Sequence, residues 1–333
     1  MKTNLNWKTP DFYKIVRRYT MELILVGMII ALSLFADGFA TYTNLLGILR
    51  SAAITGVIAF GMTMTIIGGE IDLSVGSAIA LSAVMTATLT GKIADAGILS
   101  LEYAVVAAMI VSLIIGAIIG FINGFIRTKF NMPSFIITLA MLNVLHGLAS
   151  VISGGFPITT LPMWYNFIGA GRIGSVPVAV IWLLIVFAIT SIVMNYSRFG
   201  REVYAVGGNP EAARLSGINV KGVKIIIMVV VQVMAAFAGI IFSALVMSGS
   251  STFGRGREID VISAVIIGGA SLNGGIGKIR GTFMGIIFLG IVMNAMTLLG
   301  VDIFVQHIFR GLLILFAVLL YTVQNQKQLR TRK

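Results

Sequence analysis

Long runs of apolar residues, separated by short polar segments, make up most of this chain. A helix that crosses a bilayer needs about 20 mostly apolar residues, and ten stretches meet or approach that length. Their bounds are 19–36, 45–67, 75–91, 103–126, 134–152, 176–194, 223–247, 259–272, 281–300 and 303–322. The pattern predicts an all-α polytopic membrane protein with one transmembrane domain, residues 19–322, and about ten spans.

Two of the ten stretches are shorter than the rest. Residues 75–91 and 259–272 are both flanked by glycine, and non-helical backbone at membrane depth is tolerated where it is buried in protein or lines a cavity. We expect these two stretches to be broken or re-entrant. If neither crosses the membrane, eight spans remain.

The basic residues test this topology. The chain has 24 basic residues. With the N-terminus inside and ten crossings, eighteen of them fall on the inner side, four fall in outer loops, and two lie within spans. The eighteen are Lys2, Lys8, Lys14, Arg17, Arg18, Arg127, Lys129, Arg198, Arg201, Arg214, Lys221, Lys224, Lys278, Arg280, Lys327, Arg330, Arg332 and Lys333. This asymmetry follows the positive-inside rule. It predicts two cytoplasmic termini, a basic segment at 1–18 and a basic tail at 323–333.

The first stretch has a second interpretation. Basic residues precede it and Gly38-Phe39-Ala40 follow it, as in a cleaved signal peptide. An uncleaved first span agrees better with the polytopic remainder of the chain.

The longest polar passage, residues 195–224, falls on the inner side. Asn209 can cap a short helix, Pro210 suits its first position, and Glu211 suits the positive end of its dipole. Gly217 can supply the left-handed turn that ends it. A capped polar helix between two spans can be gripped by a partner outside the membrane, or it can be a solvated linker.

Composition narrows the possible functions. Hydrophobic residues form 58% of the chain and charged residues 11%, against about 25% charged in soluble domains. The net charge of +12 therefore reflects membrane topology, not nucleic-acid binding. No cysteine is present and the two histidines are far apart, so neither a disulfide nor a metal site is expected.

No nucleotide-binding loop is found. Around Lys278 a phosphate-binding loop would need glycine at the position of Leu272 and Ser or Thr at that of Ile279. No catalytic motif occurs elsewhere, so we expect a protein without its own ATPase site, cofactor or enzymatic activity.

Glycines mark two further features. Gly116, Gly120 and Gly124 recur every four residues and predict a helix face that a neighbouring helix approaches closely. The segments IIGGEIDLSVGS at 66–77 and IIGGASLNGG at 266–275 resemble each other and suggest a short internal repeat.

Polar side chains inside the spans are the candidates for a substrate pathway. The acids are all predicted at span ends or in loops, which weakens an ion-coupled mechanism. Neutral groups that could bind a hydroxylated solute, or that could only join helices, are Asn123, Asn143, His146, Gln232 and Asn294. Asn143 and His146 share one helix face.

Four segments together resemble a known family: GGEIDLSVGS (68–77), FGREVYAVGGNPEAARLSGI (199–218), REIDVISAVIIGGASLNGGIG (257–277) and GTFMGIIFLGIVMNAMTLLGV (281–301). The chain resembles the ribose/xylose/galactose-type permeases of bacterial ATP-binding-cassette importers, from about residue 20 to 322. The family motif in the first segment is carried by Gly69, Asp72, Leu73, Ser74 and Gly76. One departure is Glu70, where such permeases often have a small residue.

The resemblance implies a permease of the bacterial inner membrane that imports a sugar. Its partners would be a cytoplasmic ATPase that binds ATP, an extracytoplasmic sugar-binding protein, a second permease copy or paralogue, and membrane lipid. The ATPase-contacting residues would be Asn209, Glu211, Ala212, Ala213, Arg214 and Gly217. Two alternatives remain: an ion-coupled secondary carrier, and a membrane-embedded enzyme or receptor.

Overall fold

The computed structural model describes residues 20–313 together with Leu315 and Leu319. The expected basic segments at 1–18 and 323–333, and most of the tenth stretch beyond residue 313, lie outside the described residues. The helices are α1 (Thr20–Phe35), α2 (Tyr42–Ile67), α3 (Val75–Asp95), α4 (Leu101–Lys129), α5 (Ser134–Ser153), α6 (Asn166–Ala170), α7 (Val178–Tyr196), α8 (Arg198–Gly208), α9 (Pro210–Leu215), α10 (Val220–Val246), α11 (Arg257–Ile267), α12 (Ile279–Leu298) and α13 (Ile303–Leu313).

The fold is the expected all-α polytopic one. Seven helices, namely α2, α3, α4, α5, α7, α10 and α12, are long and apolar enough to cross a membrane. Within the described residues, the only sheet is a two-stranded antiparallel hairpin, β1 (Arg172–Ile173) with β2 (Val176–Pro177). The number of crossings and the side on which the termini lie remain predictions.

The two short stretches behave differently. The third was expected to be broken or re-entrant, but α3 is an unbroken helix of 21 residues that is long enough to cross a membrane, so the expected break is wrong. The eighth is α11, whose 11 residues span only about 16 Å of the roughly 30 Å that a bilayer requires. The segment before α11 packs against α3, because Gly249 lies against the Ala83 carbonyl and Gly254 against that of Gly76.

Helix α10 lies at the centre of the bundle, against α2, α3, α4 and α6. The predicted glycine face of α4 makes one of these contacts. Gly116 lies against Gln232, Gly120 against Met228 and Val229, and Gly124 against Ile225, in each case with backbone atoms of α10. The prediction of close helix approach is confirmed.

The opposite face of α4 is apolar and exposed. Ile110, Ile114 and Ile118 repeat every four residues, and each is more than half exposed. A helix that buries glycines on one face and presents isoleucines on the other is suited to a position between protein and lipid. This arrangement accords with a multi-pass membrane protein.

Candidate functional site

The predicted polar helix is α9, and its N-terminus is capped as expected. Asn209 is the N-cap, and its Oδ1 accepts hydrogen bonds from the amides of Glu211 (3.1 Å) and Ala212 (3.0 Å). Pro210 occupies the first helical position, where the missing N–H carries no penalty. The start of this helix therefore lies where the local sequence predicts it.

The end of α9 also follows the prediction. Gly217 has φ +82°, its amide donates to the Arg214 carbonyl, and the Ile218 amide donates to the Ala213 carbonyl. These two bonds form a Schellman motif, which requires a left-handed residue after the helix. The last helical residue is Leu215, so the predicted range of 209–217 contains the helix together with both of its caps.

The outward face of α9 is almost wholly exposed. Glu211 and Arg214 form an ion pair at 2.6 Å, and that hydrogen bond and charge lower the pKa of Glu211. Ala213 points inward and is buried, whereas Leu215 is 74% exposed. An exposed leucine beside a charged pair forms a small mixed surface that a partner could bury. The sequence reasoning missed Leu215.

Asn209 provides a first test of this local structure. Replacing Asn209 by alanine removes the acceptor for two amides and should destabilise α9 by about 1 kcal/mol. We expect the amides of Glu211 and Ala212 to exchange hydrogen about fivefold faster. Asn143→Ala, which removes only a bond within its own helix, is the control. Unchanged exchange in Asn209→Ala would show that tertiary contacts, not the cap, hold α9.

Helix α8, which the sequence reasoning did not separate from the loop, connects α9 to the membrane helices. The Tyr204 hydroxyl donates to the Gly277 carbonyl at 2.9 Å. At the end of α8, Gly207 lies so close to the Ile67 carbonyl that a Cβ would collide with it. The same carbonyl accepts from the amide of Gly275 at 2.8 Å.

We call the group Ile67, Gly207, Gly274 and Gly275 the glycine junction. It joins three parts of the chain: the end of α2, the end of α8, and the linker from α11 to α12. Backbone contacts with no intervening side chain leave little room for the three parts to move independently.

Both suspected repeat segments end their helices in the same way at this junction. After α2, the amides of Gly68, Gly69 and Glu70 donate to the carbonyls of Met64, Ile66 and Thr65; after α11, those of Gly268, Gly269 and Ala270 donate to Ala264, Ile266 and Val265. Gly69 and Gly269 have φ of +78° and +87°. The likeness between the two segments is therefore a shared helix-ending turn, which explains the second glycine of each pair, because only this position is left-handed.

The family motif covers the linker between α2 and α3 and the first turn of α3, and its Asp72 and Ser74 are fully buried. Asp72 accepts from the Ser74 amide (2.8 Å), the Ser74 hydroxyl (2.6 Å) and Gln232 Nε2 (2.8 Å). Asn123 lies in the same cluster and donates toward Ser74 at 3.5 Å. Leu73 is half-buried beside it, and Gly76 is packed against the backbone of Gly254.

This cluster corrects one expectation. The acids were expected at span ends or in loops, and Asp72 does lie in a linker, but that linker is buried inside the protein and Asp72 is fully shielded. Gln232 Oε1 and Asn123 Oδ1 are buried with no hydrogen-bond partner. Hydropathy could not show this, because it assigns the linker's position along the chain and not its depth.

Glu70 lies between the junction and this cluster. Its carboxylate accepts from Arg127 Nε at 2.9 and 3.0 Å and from Lys224 Nζ at 2.5 Å. Glu70 is 2% exposed, and its two partners are 17% and 11% exposed. One acid therefore ties the α2–α3 linker to the end of α4 and the start of α10.

At the end of the bundle opposite to α8 and α9, a cavity of about 470 Å³ opens between α2, α11 and α12. Asn294 lies on its wall and exchanges two hydrogen bonds, at 2.7 and 2.9 Å, with Asn44. Its other polar or charged lining residues are Ser51, Thr55, Arg257, Asp260, Thr297 and Arg310.

The five pathway candidates are not brought together. Asn123 and Gln232 belong to the buried Asp72 cluster, and Asn294 belongs to the cavity. Asn143 is exposed on α5 and bonds only to its own helix at Leu139, with His146 half-buried on the same face. The shared face was predicted correctly, but spacing alone could not say which way that face points.

Metal ligands are not gathered anywhere in the described part of the chain: it contains no group of three or more His, Cys, Asp or Glu suited to a metal ion. The candidate site is instead one that could transmit movement from one end of the bundle to the other. An exposed capped helix at one end is connected through the glycine junction to the helices that line a cavity at the other.

Comparisons with known proteins agree with the resemblance drawn from the motifs. Residues 44–318 match the family described as branched-chain amino acid transport system / permease component. The chain is 41% identical to the ribose import permease protein RbsC of Bacillus subtilis (strain 168), over 94% of this chain and 95% of that protein. It is 37% identical to the L-arabinose transport system permease protein AraH of Escherichia coli (strain K12), over 96% of this chain and 95% of that protein.

A third relative is described only by its class. The probable ABC transporter permease protein YphD of Escherichia coli (strain K12) is 37% identical, over 98% of this chain and 97% of that protein. No solved structure matches the chain. The matches extend over nearly the whole lengths of these relatives, so the likeness is not confined to one motif.

Proposed function

The chain belongs to the family of branched-chain amino acid transport system permease components, and from this membership we propose that it is the membrane subunit of an ATP-driven sugar importer. The relatives named as ribose and arabinose permeases support a pentose- or hexose-class solute. ATP would be bound by a separate ATPase subunit, and solute would be delivered by a separate binding protein.

One structural observation carries the proposal. Helix α2, the α11–α12 linker and α8 meet at the glycine junction, and the far ends of α2, α11 and α12 line the cavity. Thr55 at the cavity lies 12 residues before Ile67 at the junction, about 18 Å along one helix. Displacement of α9 at one end would therefore reach the cavity at the other through continuous helices.

The family membership supports a set of partners, and we propose where each of them binds. The ATPase would bind the exposed face of α9 on the cytoplasmic side, and the sugar-binding protein would dock at the opposite end, beside the cavity. A second copy of this chain, or a paralogue, would pair with it so that two ATPase subunits are engaged. ATP binding would draw the two ATPases together and move α8 and α9, which would alternate access to the solute path.

The α9 face can be tested by co-purification. Replacing Glu211 by alanine together with Leu215 by serine should reduce recovery of the ATPase about tenfold or more, because anchors at an interface contribute about 1–2 kcal/mol each. Gly217→Val should have a similar effect, since a β-branched residue is strained at φ +82°. Sugar uptake in reconstituted vesicles should fall in parallel.

The matched control uses the same residue types at the other end of the bundle. Glu102→Ala together with Leu99→Ser changes exposed residues just before and at the start of α4, far from α9. Full ATPase recovery is expected for this control. Equal recovery by the α9 variants would contradict the assignment of α9 as the ATPase-binding surface.

A second candidate function is favoured by the buried Asp72. An ion-coupled carrier would need such an acid and would work as a single polypeptide. Uptake by vesicles that contain only this chain, driven by a proton or sodium gradient and lost in Asp72→Asn, would support the carrier. Uptake that requires both the ATPase and ATP would support the importer instead.

A further inference from the structure

The cavity opposite to α9 contains an unbalanced positive charge. Asp260 is paired with Arg310 at 3.0 Å. Arg257 donates to the Thr55 hydroxyl at 2.9 Å and lies over the ring of Phe242, 5.4 Å from its centroid. Among the described residues no carboxylate forms an ion pair with Arg257, and the one Asp260 charge acts on both arginines. Two guanidinium groups therefore face one carboxylate.

Arg257 also has unused donors. A guanidinium carries five N–H groups in a fixed fork, and the structure gives one of them, on Nη1, to Thr55. A half-buried cation with free donors favours an anion, and a planar carboxylate matches its fork in a bidentate pair. A neutral solute in the same place would leave the charge unbalanced.

The rest of the cavity suits a polyhydroxylated molecule. Its volume of about 470 Å³ lies within the range of small-molecule sites. Asp260, whose two oxygens are paired with Arg310, keeps acceptor lone pairs, and Asn294, which is paired with Asn44, keeps one N–H and one lone pair, at positions on two different helices. Thr55 holds Arg257 in place from a third helix.

We propose that this cavity binds a sugar acid, with Arg257 as the partner of its carboxylate and Asp260 and Asn294 as partners of its hydroxyls. The inference rests on the proposed function as an importer and narrows its solute from sugars in general to anionic ones. It differs from what the names of the ribose and arabinose relatives state of those proteins.

The test measures direct binding to the purified chain in lipid nanodiscs, without ATPase or binding protein. D-Galacturonate and D-galactose form a matched pair, because they differ only by a carboxylate in place of a hydroxymethyl group. We expect D-galacturonate to bind at least about tenfold more tightly, as a charge-assisted hydrogen bond implies. Arg257→Gln should remove that preference, so that the two sugars bind with similar affinity.

Two further variants make the result specific. Arg172→Gln removes an arginine exposed on the β1–β2 hairpin and should bind both sugars as the unaltered chain does. Arg257→Lys keeps the charge and loses the fork, so it should retain part of the preference, and it provides a second measurement if Arg257→Gln does not fold. Thermal unfolding of each variant establishes which are folded.

Several outcomes would overturn the inference: equal affinity for the two sugars, binding of neither at millimolar concentration, or a preference that is undiminished in Arg257→Gln or in Arg257→Lys. Inorganic phosphate that binds as tightly as D-galacturonate, at equal ionic strength, would show a general anion site and would overturn it as well. Failure of the complete importer to take up any sugar with ATP would instead count against the proposed function. The two outcomes are distinguishable because the binding measurement does not involve the ATPase.

Discussion

Replacing Glu70 by glutamine is expected to destabilise the protein by about 3 kcal/mol or more. The substitution keeps the shape of the side chain but removes the charge that Arg127 and Lys224 share, at 2.9 and 2.5 Å. Breaking a buried ion pair leaves an uncompensated charge and costs about 3–5 kcal/mol. The lower end applies here, because Arg127 and Lys224 retain 17% and 11% exposure.

The control is a substitution of the same kind at an exposed pair. Glu211→Gln breaks the ion pair with Arg214, in which both side chains are more than 60% exposed, so solvent screening should leave the stability almost unchanged. Equilibrium unfolding in mixed detergent micelles gives the two free energies on one scale. Equal destabilisation by the two substitutions would show that the Glu70 carboxylate is hydrated and that its ion pairs with Arg127 and Lys224 do not stabilise the fold.

A third variant separates charge from position. Replacing Glu70 by glutamine and Lys224 by methionine in the same chain removes one of the two stranded cations and keeps the apolar length of the lysine. We expect this double variant to recover about half of the lost stability, because only Arg127 then remains unpaired. If the double variant recovers no stability, the loss in Glu70→Gln comes from the unpaired Arg127 alone.

The sequence predicted well those features that depend only on residues close together in the chain. The start and end of α9 were predicted because Asn209, Pro210 and Gly217 act on backbone groups within a few residues of themselves. The glycine face of α4 was predicted for the same reason: residues four apart share a face whatever lies opposite. Most of the span bounds agree to within a few residues.

What the sequence could not predict depends on pairs far apart in the chain. Asp72 and Gln232 are 160 residues apart, and no local pattern says that they meet. Glu70 was noted only as a departure from the family motif, and its partners on α4 and α10 were not foreseen. Arg257 is one of the four basic residues that the ten-span topology assigns to outer loops, and hydropathy could not predict that it lines a cavity beside Asp260.

Asn143 and His146 show the limit of helical spacing. Their three-residue separation does place them on one face of α5, but this helix is apolar nearly all round and mostly exposed. An amphipathic pattern fixes which face is inward only when one side is polar. The choice between packing and substrate contact for these two residues therefore needed the fold.

The glycine junction carries the second large prediction. Gly207→Ala should disrupt the contact between α8 and α2, because the new Cβ would collide with the Ile67 carbonyl and lie 2.7 Å from the Gly275 amide that donates to it. Overpacking costs about 1–3 kcal/mol, and loss of the Gly275–Ile67 hydrogen bond adds about 1–3 kcal/mol. We expect ATP-driven uptake to fall at least tenfold even where the folded chain still binds the ATPase.

The neighbouring glycine is a matched control for this prediction. A Cβ on Gly208 meets nothing within 4 Å, so Gly208→Ala introduces the same methyl group one residue further along the same helix end. Since alanine favours helix by up to about 1 kcal/mol over glycine, this variant should be neutral or slightly more stable, with full uptake. If Gly207→Ala transported as well as Gly208→Ala, the junction would tolerate separation of α8 from α2. Motion of α9 would then not be transmitted to the cavity through the glycine junction. Among the described contacts, no other joins α8 to both α2 and the α11–α12 linker so closely.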